Sequence, residues 1–221
     1  MKITGLFVSS MVLASAMAIF AFWAAGLADS SMELAVHWNA AGEADGFMPA
    51  LEALLFPAGM VAVVGLIFAA IPFIEPLQNR LEGSAPALKT IWAAMLAFLL
   101  GLQAYIAAPI FGFEPPIAVV PFAVGILLIV IGNILPKSRP GFFVGIRTPW
   151  TIADTDNWIA THRLGGKLFM IAGLIIALAA IGGLEGDVAQ TVVLVAALTA
   201  AIVPIAYSFW FWHRARQTPA G

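Results

Sequence analysis

Apolar residues in this chain come in long runs, with polar residues collected in the gaps between them. Six runs stand out, at Gly5–Leu27, Leu54–Ile74, Thr90–Ala108, Ile117–Leu135, Leu168–Leu184 and Val188–Phe211. Each is close to the roughly 20 residues that a helix needs to cross the hydrocarbon core of a bilayer. A segment surrounded by lipid must satisfy its own backbone hydrogen bonds, and runs of this length without strict alternation do not suit barrel strands. The pattern therefore predicts an all-α, polytopic membrane protein of six transmembrane helices in a single domain, 1–221, with an outer-loop module at 28–51 and a cytoplasmic motif stretch at 136–167. The fifth run is short and ends in Gly182-Gly183, so runs five and six are expected to form one tight helical hairpin.

The polar gaps set the expected orientation. Lys2, Arg80, Lys89, Lys137, Arg139, Arg147, Arg163, Lys167, Arg214 and Arg216, all ten bases of the chain, fall in alternate gaps or at the ends. The other gaps hold acids alone: Asp29, Glu33, Glu43 and Asp45, then Glu114, then Glu185 and Asp187. By the positive-inside rule both termini are cytoplasmic and the acidic loops face outward, in a multi-pass protein of a prokaryotic inner membrane. Lys2, the first run and Gly26-Leu27-Ala28 also have the outline of a signal peptide, but the run exceeds the usual apolar core of one. It is read as a retained helix.

Composition agrees: 62% of residues are hydrophobic and 10% charged, against roughly a quarter charged in soluble domains. With no cysteine, disulfides, thiolate metal sites and a cysteine nucleophile are excluded. Gly-x-Ser-x-Gly, His-Glu-x-x-His and phosphate-binding loops are likewise absent from the sequence. No enzyme, metal or cofactor is expected. His162 with Asp154 or Asp156 is the one acid–base pairing to consider, and it lacks an evident nucleophile. No charge falls mid-span, the nearest being Glu52 and Glu75, which weighs against ion-coupled transport. The bases are too scattered for direct nucleic-acid binding.

Candidate chemistry concentrates in two gaps. In the outer loop, His37, Trp38 and Asn39 precede Gly42, Asp45 and Gly46; Gly42 and Asp45-Gly46 are turn formers, and the aromatic suits an interface anchor. The stretch 136–167 is denser, with five of the ten bases, two of the seven tryptophans and one of the three histidines. Pro149 keeps Thr148 out of helical conformation, so no helix crosses that point. Asp154, Thr155 and Asp156 are candidate N-caps of a short helix continuing toward span five. On it Trp158, His162 and Gly165 share one face, Gly165-Gly166 permits close backbone approach, and Arg163 and Lys167 are placed to snorkel to lipid phosphates. Arg147 is expected to pair bidentately with a carboxylate, Asp154 or Asp156 being near in sequence.

Gly145-Ile146-Arg147-Thr148-Pro149-Trp150-Thr151, then Trp158, then Thr161-His162-Arg163 and Gly165, resembles the signature of the SdpI family of membrane proteins. His37-Trp38-Asn39, Gly42 and Asp45-Gly46 resemble the N-terminal module that often accompanies it. The resemblance implies immunity to a secreted, membrane-disrupting peptide toxin. It also implies two partners besides the bilayer: a cationic or amphipathic peptide outside, and a repressor-like protein held at the membrane inside. The motif residues at both places are the candidate binding residues. A small transporter or lipid-handling protein, using Arg147 and Arg163 as an anionic headgroup site, is the alternative.

Overall fold

The computed structural model describes residues 3–38, 44–184 and 186–217, with residues 78–80 described in backbone only. Six of its helices are long and apolar enough to cross a membrane. They are α1 (Thr4–Ala25), α2 (Ala50–Ile74), α3 (Gln78–Ala107), α4 (Val119–Ile134), α6 (Thr155–Ile181) and α7 (Gly186–Gln217); a single-turn helix, α5 (Pro149–Ala153), precedes α6. All six predicted spans are present, in longer form where polar residues extend a helix beyond its apolar run. α3 begins at Gln78 instead of near Thr90, α6 runs unbroken from Thr155 through the predicted fifth span, and α7 continues to Gln217. Gly183 at φ 69° and Gly186 at φ 62° make the tight link between α6 and α7 that the Gly-Gly pair predicted.

The predicted outer-loop module, 28–51, differs from expectation. A turn was expected around Asp45-Gly46, yet both lie in a strand. Strands β1 (Glu33–Trp38) and β2 (Ala44–Pro49) form an antiparallel hairpin with Leu34 opposite Met48 and His37 opposite Gly46. The period-two signal was in the sequence: Leu34, Val36 and Trp38 turn toward the bundle, while Glu33 and His37 are exposed. Trp38 rests edge-on against Tyr105 of α3 at 5.4 Å. At Gly46 a Cβ would come 2.8 Å from the Cβ of His37, so the irregular register there needs glycine. Asn39 and Gly42 lie outside the described residues.

The helices pack as two groups: α1, α2 and α3 around Met17, Val61 and Trp92, and α4, α6 and α7 around Ala172, Ile176 and Ala200. Glycine lets α4 and α6 meet at backbone distance. A Cβ on Gly125 would sit 2.6 Å from the Gly173 carbonyl oxygen, and one on Gly132 2.6 Å from that of Gly166. Small residues are the usual means of helix association in lipid, where hydrophobic burial drives little. The hairpin closes one end of the α1–α3 group, beside Ala24, Leu54 and Ala107. At the opposite end the chain from 135 to 153 folds over both groups.

Candidate functional site

The site at that end is built on the first two turns of α6. Asp154 caps this helix, its carboxylate accepting the Asp156 N–H at 2.9 Å; Thr155 and Asp156 lie inside it. The Trp158 and His162 rings, one turn apart, stack at 3.9 Å with 17° between planes, and both are fully enclosed. His162 Nδ1 lies 2.8 Å from the Trp158 carbonyl and Nε2 accepts the Ile146 N–H at 2.8 Å. A carbonyl only accepts and an amide N–H only donates, so the ring is neutral with its proton on Nδ1. Gly145, at φ 118°, passes over these rings so closely that a Cβ would collide with His162 Nε2 and come 2.7 Å from Trp158 Cζ2. The Trp158 indole N–H donates to the Ser138 carbonyl at 3.2 Å. Two aromatic rings of α6 thus hold the loop 138–146 at both ends.

Past the loop, Thr148 and Thr151 form a reciprocal capping box that starts α5, with Pro149 at its first position, where a missing N–H costs nothing. Thr151 Oγ1 also donates to the Ile146 carbonyl at 2.9 Å. Thr148 Oγ1 meets Ser208 Oγ of α7 at 3.1 Å; Asn157 donates to the Ser208 carbonyl at 2.9 Å and accepts from Thr161 at 3.0 Å. Gly165 faces the Ile146 side chain and Pro204. Trp150 packs on Phe209 and Trp212 of α7, ring centres 5.1 and 5.8 Å away. Buried polar groups that are all satisfied this way select one arrangement of the elements they join.

Most of the motif predicted from sequence is therefore brought together, as an internal clasp. Thr148, Thr151, Trp158, Thr161, His162 and Gly165 are buried; Arg147 and Arg163 remain exposed. The expected Arg147–carboxylate pair does not form: Nη1 donates to the Phe142 carbonyl at 2.7 Å, while Asp154 is occupied with the cap. An acid–base pair of His162 with Asp154 or Asp156 is likewise not made, since both ring nitrogens are committed to backbone groups. Sequence reading missed Ser138, Asn157 and Ser208, common polar residues with no pattern to mark them. It also missed Glu75 as a contributor at this end.

The candidates predicted for the outer loop lie at the far end of the bundle. His37 Nδ1 and Asp45 Oδ1 are 2.5 Å apart across the hairpin, with both side chains well exposed. No group of three or more His, Cys, Asp or Glu able to hold a metal occurs among the described residues.

Comparison with known proteins divides the chain at the same place. Residues 137–208, from the clasp loop to Ser208, match the SdpI/YfhL protein family, and residues 12–61, from α1 through the hairpin into α2, match a domain of unknown function, DUF1648. The Immunity protein SdpI of Bacillus subtilis (strain 168) is 28% identical over 121 residues, which span 54% of this chain and 58% of that protein. No solved structure matches. Six membrane-length helices and these matches together make the chain a multi-pass membrane protein that over residues 137–208 is similar to the SdpI/YfhL protein family.

Proposed function

We propose that this protein gives immunity to, or senses, a secreted membrane-active peptide toxin from the cell membrane of a prokaryote. The observation that carries the reading is the similarity to an immunity protein, together with the SdpI/YfhL match over the segment that builds the clasp. In this reading the clasp end lies in the cytoplasm, where its bases belong, and the hairpin end faces outward. Asp29, Glu33 and Asp45 are exposed at the hairpin end, and a loop with acids and no bases attracts a cationic peptide from solution. His37 is its exposed contact residue on the hairpin, and half-buried Trp38, packed on Tyr105, holds the strand beneath it. At the other end, exposed Arg147 and Arg163 are available to a cytoplasmic protein such as a repressor, held by Arg147, Trp150 and neighbouring loop residues.

The test is survival of a sensitive bacterium expressing this chain under challenge with a panel of membrane-active peptides. Protection by the wild type, weakened by Arg147→Ala or His37→Ala at equal membrane levels, is the expected result. No protection by well-expressed protein refutes it. One observation favours lipid handling as a second reading. An apolar cleft of about 360 Å³ between α6 and α7 is lined by Leu168, Ala172, Ile175, Val195, Ala196 and Thr199. It begins beyond Lys167, one turn past Arg163 on α6. A stoichiometric anionic lipid copurifying with wild type and lost with Arg163→Ala would favour that reading.

A further inference from the structure

We propose that Glu75 is a positioning residue that latches the Arg147-bearing loop to the N-terminal half, making α2 the mechanical link between the outer hairpin and the clasp. This inference concerns how the two halves are joined, and it stands whether or not the ligand is a toxin.

Glu75 follows the last residue of α2 and is buried, with 4% of its surface exposed. One carboxylate oxygen accepts the Leu77 N–H at 3.0 Å, shaping the turn into α3; the other accepts the Phe142 N–H at 2.9 Å, across 67 positions of sequence. The carbonyl of Phe142 is in turn held by Arg147 Nη1. The main chain at Phe142 is thus gripped from both sides, by an acid of the N-terminal half and the exposed base of the motif. A second attachment lies alongside. Ser84 of α3 accepts the Arg139 N–H at 2.8 Å and donates to the Arg139 carbonyl at 3.3 Å. The Arg139 stem lies over Gly83, where a Cβ would come 2.7 Å from it.

At its other end α2 is joined to the hairpin without a linker. β2 ends at Pro49 and α2 begins at Ala50, whose N–H donates to the Met32 carbonyl just before β1 at 3.2 Å. The 25-residue helix, with Pro57 and Pro72 inside it, is about 37 Å long, so a single helix runs from the base of the hairpin at Ala50 to the turn at Glu75 that holds the Phe142 peptide. A hydrogen bond to a charged group is worth more than a neutral one, and in a buried setting its loss leaves the partner N–H unsatisfied. Glu75 is therefore the polar contact through which a shift of α2 reaches the clasp loop, beside the apolar cluster that Ile71 shares with Val144.

Because the native chain has no cysteine, a single Phe143→Cys reporter in the exposed part of the loop reads its position directly. The protein would be placed in lipid nanodiscs, where both faces are open, and its rate of reaction with a polar maleimide measured. Glu75→Ala is expected to raise the rate about tenfold, the factor set by a lost hydrogen bond of this kind. Glu75→Gln keeps the shape and one acceptor oxygen, is expected to fold, and should fall between. A Phe47→Cys reporter on the hairpin, in the same Glu75 variants, checks that the outer end remains folded. Asp45→Ala should then change Phe143→Cys labelling in the Glu75 protein and leave it unchanged beside Glu75→Ala. Equal labelling with Glu, Gln and Ala at position 75 overturns the latch; an Asp45→Ala response that persists in full with Ala at position 75 overturns the link through Glu75.

Discussion

The two halves of the bundle solve the same problem by different means. In the α1–α3 group, apolar side chains fill the interfaces and single polar residues act as isolated clips. Trp92 Nε1 donates to Ser10 Oγ at 2.9 Å, and the Gln103 amide reaches the Met17 and Leu54 carbonyls, each at 2.9 Å. Interhelical side-chain hydrogen bonds in a membrane are worth about 0.6 kcal/mol on average, so each clip adds little. In the α4–α7 group, backbones touch at glycines, and one end is closed by a network in which each polar group depends on its neighbour. The first design tolerates exchange of one apolar residue for another; the second admits one arrangement. The contrast teaches where substitution meets resistance: few residue types serve where loop backbone, ring and hydroxyl must fit together, and many serve where volume alone matters.

Substitutions can break that contrast. Gly145→Ala meets both a positive φ and two rings, so it should destabilise by about 3 kcal/mol or more, read as loss of folded protein or a large fall in Tm in detergent. His162→Ala removes the acceptor of the Ile146 N–H and the Trp158 stack, for about 2–3 kcal/mol; His162→Phe should recover the stacking share alone. Gly132→Ala must push α4 from α6 and should cost about 1–3 kcal/mol, with Gly125→Ala similar. Gln103→Leu, in the other half, should cost about 1 kcal/mol or less, in line with measured interhelical hydrogen bonds. Smallest is His37→Ala: its partner is an exposed carboxylate, so Tm should stay within the equivalent of about 0.5 kcal/mol, leaving any loss of protection attributable to binding. If Gln103→Leu cost as much as His162→Ala, the division into clips and clasp would be wrong.

Much of the fold was legible before any coordinates, because lipid imposes one simple demand, a long apolar run with internal hydrogen bonding. The α6–α7 link was legible in Gly182-Gly183, and the α6 start in Asp154 and Pro149. Helix extensions such as Gln78–Lys89 were not, since polar residues outside the apolar zone give hydropathy nothing to read. The hairpin was passed over because its glycines suggested a turn, although Leu34, Val36 and Trp38 alternate inward. At the site, the stretch 136–167 was found by its density of rare residue types, and the shared face of Trp158 and His162 by helical spacing. Arg147 was misassigned: nearness in sequence to Asp154 and Asp156 suggested an ion pair, while the chain path offered it the carbonyl of Phe142 instead.

What the sequence determined by itself is what depends on local chemistry and solvent: six helices, their caps and breaks, and the gathering of the bases into alternate gaps. What only the tertiary structure decided is which residues serve one another across the chain. Glu75 with Phe142, Ser84 with Arg139, Thr148 with Ser208 and Gly132 with Gly166 are all distant in sequence. The physical reason is that a hydrogen bond or a backbone contact depends on geometry at the ångström scale. Hydropathy fixes that a helix crosses the membrane, and leaves to packing its rotation and its neighbour.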